Sequence, residues 1–168
     1  EYYIQSFYRA YGLEGICLRY FNIFGPRQAA DSPYSGVIAQ FTYKMMADQT
    51  PTIFGDGLTS RDFNFVDNAV SANLLACTAP SEVATGRVFN IGTGRSHTLN
   101  EVYATIAEHL GFSRKPTYGP EREGDIKHSL ADITRAVKEL GYQPKALFHE
   151  GLKKTVAWYV QEHEKKQD

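Results

Sequence analysis

Two arginines beside turn-rich polar loops have the chemistry that is easiest to state. Arg61 opens RDFNFV directly after GDGLTS, and Arg122 lies in PEREGD, three residues before Asp125. Guanidinium forks bind oxyanions bidentately, so two of them suit a diphosphate, and a nearby carboxylate can accept from sugar hydroxyls. The plainer alternative is solvated ion pairing, of Arg61 with Asp62 or Asp67 and of Arg122 with Glu121 or Glu123. Spacing alone favours that alternative, because surface ion pairs are common and weak. A third stretch, LRYFNIFGPRQ, places an amide, Asn22, near the end of an apolar run and before the turn at Gly25 and Pro26. Asn22 could equally cap that turn.

VFNIGTGRSHTL imitates a dinucleotide fingerprint: a strand, Gly-x-Gly, then a helix. The third glycine would fall at His97, and no acidic residue closes a second strand about 20 residues on. The stretch reads as a tight strand-to-helix turn that lines a ligand without cradling a pyrophosphate. There is no P-loop lysine pattern, no GxSxG and no CxxC. Cys17 and Cys77 both sit in apolar surroundings, as expected of core thiols in a cytoplasmic protein. His97, His109, His128, His149 and His163 show no metal-ligand spacing. No catalytic trio is visible. From residue types and spacing, the reading ends at an α/β domain that binds a nucleotide or an anion.

The elements that must position these groups alternate. Ile4, Phe7, Tyr8 and Tyr11 fall at helical spacing, so residues 1–11 are expected to be a helix ending near Gly12. A first residue already inside a helix suggests a fragment. Residues 15–24, GICLRYFNIF, read as one strand buried on both faces, as in a parallel sheet. A turn-rich loop follows over 25–36, with Ser35 as a candidate cap for a helix over GVIAQFTYKMMADQ. Short strands are expected at PTIF and at 61–66, with Asp67 capping the helix NAVSANLLACTA. RVFNIG is a second buried strand. Thr98 and Glu101 form a capping box for EVYATIAEHL. ITRAVKEL is a short helix ending at Gly141, and the last helix runs from about Phe148 to Glu164.

With 168 residues, 42% hydrophobic and 22% charged, the chain can bury a core. A net charge of −1 gives no basic field for nucleic acid. No apolar run reaches the roughly 18 to 20 residues of a membrane helix.

Four segments follow one another at a familiar spacing: LRYFNIFGPRQ, SPYSGVIAQF, TIFGDGLTSRDFNFVDNAVSANLLA and REGDIKHSLADITRAVKELGY. Together they resemble the NAD-dependent epimerase/dehydratase family of extended short-chain dehydrogenases. GDGLTSRDF and GDIKHSLAD look most like the 4-epimerases of UDP-N-acetylglucosamine or UDP-glucose. The resemblance covers essentially the whole chain and implies the C-terminal portion of a Rossmann-type doubly wound sheet plus a small mixed α/β substrate-binding domain. Residues 1–24 and 61–92 would contribute to the Rossmann sheet, and residues 25–60 and 93–168 mainly to the substrate region. The glycine-rich NAD loop and the catalytic Tyr-x-x-x-Lys would lie upstream, so no catalytic residue is assigned within these 168.

What the resemblance implies for this chain is the UDP-sugar side of the site. Phe21 matches the position touching the nicotinamide of NAD. Asn22, Arg61 and Arg122 match groups on the diphosphate. Gly36 and Val37 flank the nucleotide, although related galactose epimerases carry Asn where this chain has Gly36. Thr52 and Phe54 match the segment holding uracil, Leu99 an apolar contact to the nucleoside, and Asp125 the ribose-binding acid. Ser129 matches the position that gates the sugar pocket, where a bulky Tyr would crowd a 2-acetamido group. Viewed singly, Val37, Phe54 and Leu99 are as well explained as core, and Asp125 as a group that stabilises its own loop.

A doubly wound sheet that lacks its first strands exposes apolar edges, which recruit partners. Self-association, as a homodimer or otherwise, is therefore expected, and the isolated chain is expected to be catalytically silent. Within the family, a nucleotide-sugar dehydratase or a UDP-glucuronate decarboxylase is the alternative. Outside it, a non-catalytic nucleotide-sugar-binding module and a folded remnant without ligand affinity remain.

Overall fold

The apolar run at 15–24 does not form one strand. In the computed structural model, which describes residues 1–29 and 36–165, it divides between two sheets. A helix, α1 (Tyr2–Tyr11), leads into β1 (Cys17–Tyr20), which pairs in parallel with Val88–Ile91. At Phe21 the backbone still donates to Ile91 O (3.0 Å), but at Asn22 the carbonyl accepts from Asn64 N–H (3.0 Å). The chain thus changes partners within two residues. β2 (Ile23–Phe24) then pairs in parallel with Asn64–Phe65. β1 is half-buried at Cys17 and Leu18 and exposed at Arg19 and Tyr20, so the expected burial on both faces is not met. Among the described residues only one strand flanks it.

The remaining elements follow in order: α2 (Val37–Met46), β3 (Thr52–Phe54), β4 (Ser60–Arg61), β5 (Asn64–Phe65), α3 (Val66–Thr78), α4 (Ser81–Ala84), β6 (Val88–Ile91), β7 (His97–Thr98), α5 (Leu99–Leu110), β8 (Thr117–Gly119), β9 (His128–Ser129), α6 (Thr134–Leu140) and α7 (Phe148–Glu164). Among the described residues the strands form three parallel pairs, β1–β6, β2–β5 and β3–β8, and one three-stranded sheet ordered β7–β4–β9. The mixed α/β character matches the expectation.

Two local expectations change, and a third lies outside the described residues. The strand expected over 61–66 is two dipeptide strands, β4 and β5, in different sheets, because Asp62 and Phe63 turn inward between them. Asp67 does not cap α3. That helix starts at Val66 after Phe65, and Asp67 lies in its first turn, where its charge faces the positive end of the helix dipole. Ser35 lies outside the described residues, and α2 is preceded by Gly36.

Other signals hold. Thr98 accepts from Glu101 N–H while the Glu101 carboxylate accepts from Thr98 N–H, closing the capping box on α5. α1 and α6 end at Gly12 and Gly141, both left-handed at φ 68° and 66°.

Two apolar clusters hold the elements together. The larger joins Phe24, Phe63 and Phe65 to α2, α5 and α7 through Phe41, Ile106, Phe148 and Leu152. The smaller packs α3 and α6 on β6 through Ala72, Phe89, Ile91 and Tyr142. Both clusters draw on residues before and after position 92, so α6 covers the sheet while Phe24 and Phe63 sit under the C-terminal helices.

Candidate functional site

Where β2, β3 and β4 end against the start of α2, they enclose a cleft of about 410 Å³. β3 brings Thr52 and Phe54, β4 brings Arg61, and the first residue of α5 brings Leu99. Gly36 and Val37 enter at the start of α2, Asn22 at the partner change before β2, and Arg122 and Asp125 from the segment between β8 and β9. Nine of the ten expected substrate contacts therefore share one cavity. Ser129 does not line it. It is half-buried on β9, in register beside Arg61. Phe21 also lies outside the lining, half-buried between β1 and β2.

The arginines have partners that spacing did not indicate. Arg61, 17% exposed, donates from Nη2 to Asp125 Oδ1 at 2.6 Å. Its Nη1 donates to Ser60 O (2.9 Å) and Lys127 O (3.4 Å). The Arg122 guanidinium lies over the Phe54 ring, 4.1 Å from its centroid. Both cations thus face the cleft, one against a carboxylate and one against an aromatic face. Thr52 shares a hydroxyl contact of 2.8 Å with Thr117 across the β3–β8 pair. Asn22 is exposed, and its Nδ2 donates to Asp62 O at 3.3 Å.

Asp62 is fully buried and holds the Gly-Thr-Gly turn. Its Oδ1 accepts from Thr93 N–H (2.9 Å) and lies 2.8 Å from the Thr93 hydroxyl. Its Oδ2 accepts from Gly94 N–H (2.9 Å) and Ala131 N–H (3.3 Å). Successive amides in such a turn form an anion-binding concavity. Here an internal carboxylate fills it. A Cβ on Gly92 would stand 2.7 Å from Asp62 Oδ2, which explains the glycine by close approach. The turn therefore does not fit the pyrophosphate of a dinucleotide such as NAD, and no step involving that cofactor is assigned to it. Asp62 was read from the sequence only as an ion-pair partner for Arg61. No local signal pointed to this role, since Thr93 lies 31 positions further along the chain.

Gln28 was also missed. It lines the cleft, and among the described residues its buried Oε1 has no hydrogen-bond donor. Its carbonyl accepts from the Tyr159 hydroxyl of α7 at 2.5 Å. The neighbouring Arg27, not Gly25, takes the positive φ of this turn, 68°. Gly25 is required by close packing, since a Cβ there would meet Val66 Cγ1 at 2.6 Å. Phe41 and Phe63, buried on the cleft wall, were indistinguishable from core in the sequence.

Burial pushes the Tyr142 and Tyr159 hydroxyls up to about 12. Both remain hydrogen-bond donors at neutral pH, Tyr142 to Gly92 O (2.9 Å) and Tyr159 to Gln28. His97 stacks on Phe148 with ring centroids 4.1 Å apart, and burial there lowers its pKa despite the nearby Glu101. Among the described residues no cluster of His, Cys, Asp and Glu could hold a metal ion, and no helix is long and apolar enough to cross a membrane.

A model of the NAD dependent epimerase/dehydratase family matches residues 1–92. The chain is 41% identical to the UDP-glucose 4-epimerase of Thermotoga maritima, whose structure with UDP-glucose superimposes at a TM-score of 0.90. That match covers 96% of this chain and 51% of the other. A UDP-N-acetylglucosamine 4-epimerase of Methanobrevibacter ruminantium, solved with UDP-N-acetylmuramic acid, is 40% identical at a TM-score of 0.87, over 96% and 51% of the two chains. The UDP-glucose 4-epimerase of Mycolicibacterium smegmatis is 36% identical over 95% of this chain and 50% of its own. The chain spans about half the length of the curated relatives it matches.

Proposed function

Because the chain belongs to the NAD dependent epimerase/dehydratase family, we propose that it forms the substrate-binding part of a UDP-sugar 4-epimerase. The observation that carries this reading is the cleft, which gathers Arg61, Arg122, Asn22 and Asp125 around an apolar wall of Val37, Phe54 and Leu99. A diphosphate joined to two ring systems has that same division of charge and apolar surface. Arg61 and Arg122 take the diphosphate with Asn22, the guanidinium planes matching phosphate oxygens bidentately. Thr52, Phe54, Gly36 and Val37 hold the base, Leu99 packs on the nucleoside, and Asp125 accepts from the ribose.

NAD is held mainly by residues outside these 168, with Phe21 as this chain's contribution. No Tyr-x-x-x-Lys occurs in the sequence, so the proton-transfer groups of the reaction also come from elsewhere in the protein. Its partners are then a UDP-sugar and, through the exposed aromatic face of α1, the rest of its own protein or a second copy. Tyr2, Tyr3 and Tyr11 are 87%, 84% and 78% exposed on that helix.

Ser129, matched by resemblance to the position that gates the sugar pocket, stands beside Arg61 but does not line the cleft; in this reading its small side chain leaves room for a 2-acetamido group. The test is UDP-glucose and UDP-N-acetylglucosamine titration and turnover with the full-length protein and its Ser129→Tyr variant. The wild type is expected to bind both and to epimerise both at C4, and the variant to lose only the acetamido substrate. Absence of UDP-sugar binding by folded wild type overturns the proposal. Unchanged discrimination in the variant overturns the gate.

A further inference from the structure

Arg61 meets the cleft with much of its guanidinium already engaged. Nη2 is held by Asp125 Oδ1 at 2.6 Å, and Nη1 by the carbonyls of Ser60 and Lys127. The carboxylate that holds it lines the same cleft. Asp125 arrives on the strap that runs from β8 to β9, and that strap is fixed at both ends. Gly119 O accepts from Gly55 N–H at 3.0 Å, and Lys127 O from Ser60 N–H at 2.8 Å. Between these anchors, Arg122 lies on Phe54 and Lys127 Nζ pairs with Glu121 at 3.5 Å. Asp125 N–H donates to Arg122 O at 3.3 Å, which ties the acid and the second arginine into one turn. The carboxylate is thus presented to Arg61 by the fold, and it is not a chance contact of two long side chains.

A phosphate that reaches Arg61 must share the guanidinium with this carboxylate or displace it. A bare anion gains the guanidinium but leaves Asp125 beside the cleft with its cation taken, and with a second negative charge close by. Like charges at such range repel. A ligand carrying hydroxyls next to its phosphates avoids this, because a displaced carboxylate is an acceptor that hydroxyl donors can satisfy. We infer that Asp125 is a built-in competitor for the anion site at Arg61, so that the cleft favours phosphoanhydrides bearing nearby hydroxyls over bare inorganic anions. This rests on the reading of the cleft as a nucleotide-sugar site and adds the device by which it rejects free phosphate and pyrophosphate. Specificity here comes from a repulsive element as well as an attractive one.

The experiment is calorimetric titration of the full-length protein with pyrophosphate and with UDP, in buffer free of divalent cations, for wild type, Asp125→Asn and Asp125→Ala. Asn keeps the shape and one acceptor while removing the charge. Asp125 is exposed on its strap, 48% by side chain, so neither variant disturbs the core. Pyrophosphate affinity is expected to rise about two- to fivefold in both variants, the range appropriate to a partly exposed ion pair. The preference for UDP over pyrophosphate is expected to fall, and the difference between proteins to shrink at high salt. Pyrophosphate affinity that is unchanged or weaker in both variants overturns the inference. That failure is separable from failure of the functional reading, since UDP binding by wild type stands or falls on its own.

Discussion

Replacing Asp62 by Asn tests whether one buried carboxylate holds the cleft in shape. The carboxylate occupies a pocket of donors only: two backbone amides and a hydroxyl close on it at 2.8–2.9 Å, and a third amide at 3.3 Å. Asn retains one oxygen, so contacts on one side persist. On the other side its NH2 group faces N–H groups, donor against donor. Two charge-assisted hydrogen bonds are lost at about 1.5–3 kcal/mol each. Removal of a buried charge offsets part of that loss. A net destabilisation of about 3 kcal/mol follows for the cooperative unit that contains the turn.

The perturbation also reaches the cleft. Asp62 N–H donates to Ser129 O at 2.9 Å, and Asp62 O accepts from Asn22 Nδ2. Urea denaturation of the full-length protein, wild type against Asp62→Asn, gives the stability difference, and titration with UDP under native conditions gives the effect on the site. The expected result is a lower midpoint with unchanged slope, together with weaker UDP binding in the folded variant. A loss below about 1 kcal/mol, the size of one ordinary neutral hydrogen bond, would refute the four-donor account.

Two other outcomes follow from the structure. The Tyr142 and Tyr159 hydroxyls are raised from 10.0 to about 12 by burial, so the fold favours their protonated forms. That contribution is complete below pH 10 and is lost as pH rises toward 12, and a Tyr142→Phe/Tyr159→Phe protein is expected to show a flatter alkaline decline in urea midpoint than wild type. Separately, the 168-residue chain leaves Tyr20, Val70 and Leu74 exposed beside β1, which among the described residues pairs only with β6, so light scattering at micromolar concentration is expected to give a mass above that of the monomer, and a clean monomer would count against it.

The sequence was most informative where signals were local. The Thr98–Glu101 box, the glycine ends of α1 and α6, and the full span of α7 follow from spacing within one or two turns of helix. It was least informative where the outcome depends on distant pairing. Nothing within GICLRYFNIF announces that the chain changes partners from β6 to β5 between Phe21 and Asn22, because Ile91, which accepts from Phe21, and Asn64, which donates to Asn22, lie 70 and 42 positions further along. RDFNFV alternates poorly as a strand for the same reason: Asp62 turns inward to meet a turn that is formed much later in the chain. The cleft residues were legible only in combination. Arg61 and Arg122 looked like surface charges by spacing, and Phe54 and Leu99 like core, until the fold brought them to one cavity.

The three-stranded sheet β7–β4–β9 gives the site a timetable. Ser60 and Arg61 pair on one side with Thr98 and His97, and on the other with His128 and Ser129. Each partner comes from a segment far along the chain, and long-range pairing of this kind closes slowly because loop entropy must be lost before the contacts form. Arg61 therefore acquires its orientation only after residue 129 has been synthesised and has left the ribosome, whereas α1, α2 and α5 can form beforehand from local signals. A chain interrupted before β9 would lack the strand that orients Arg61 and also Tyr142, Phe148 and Leu152, which complete the two apolar clusters, so cleft and core are finished together by the C-terminal segment.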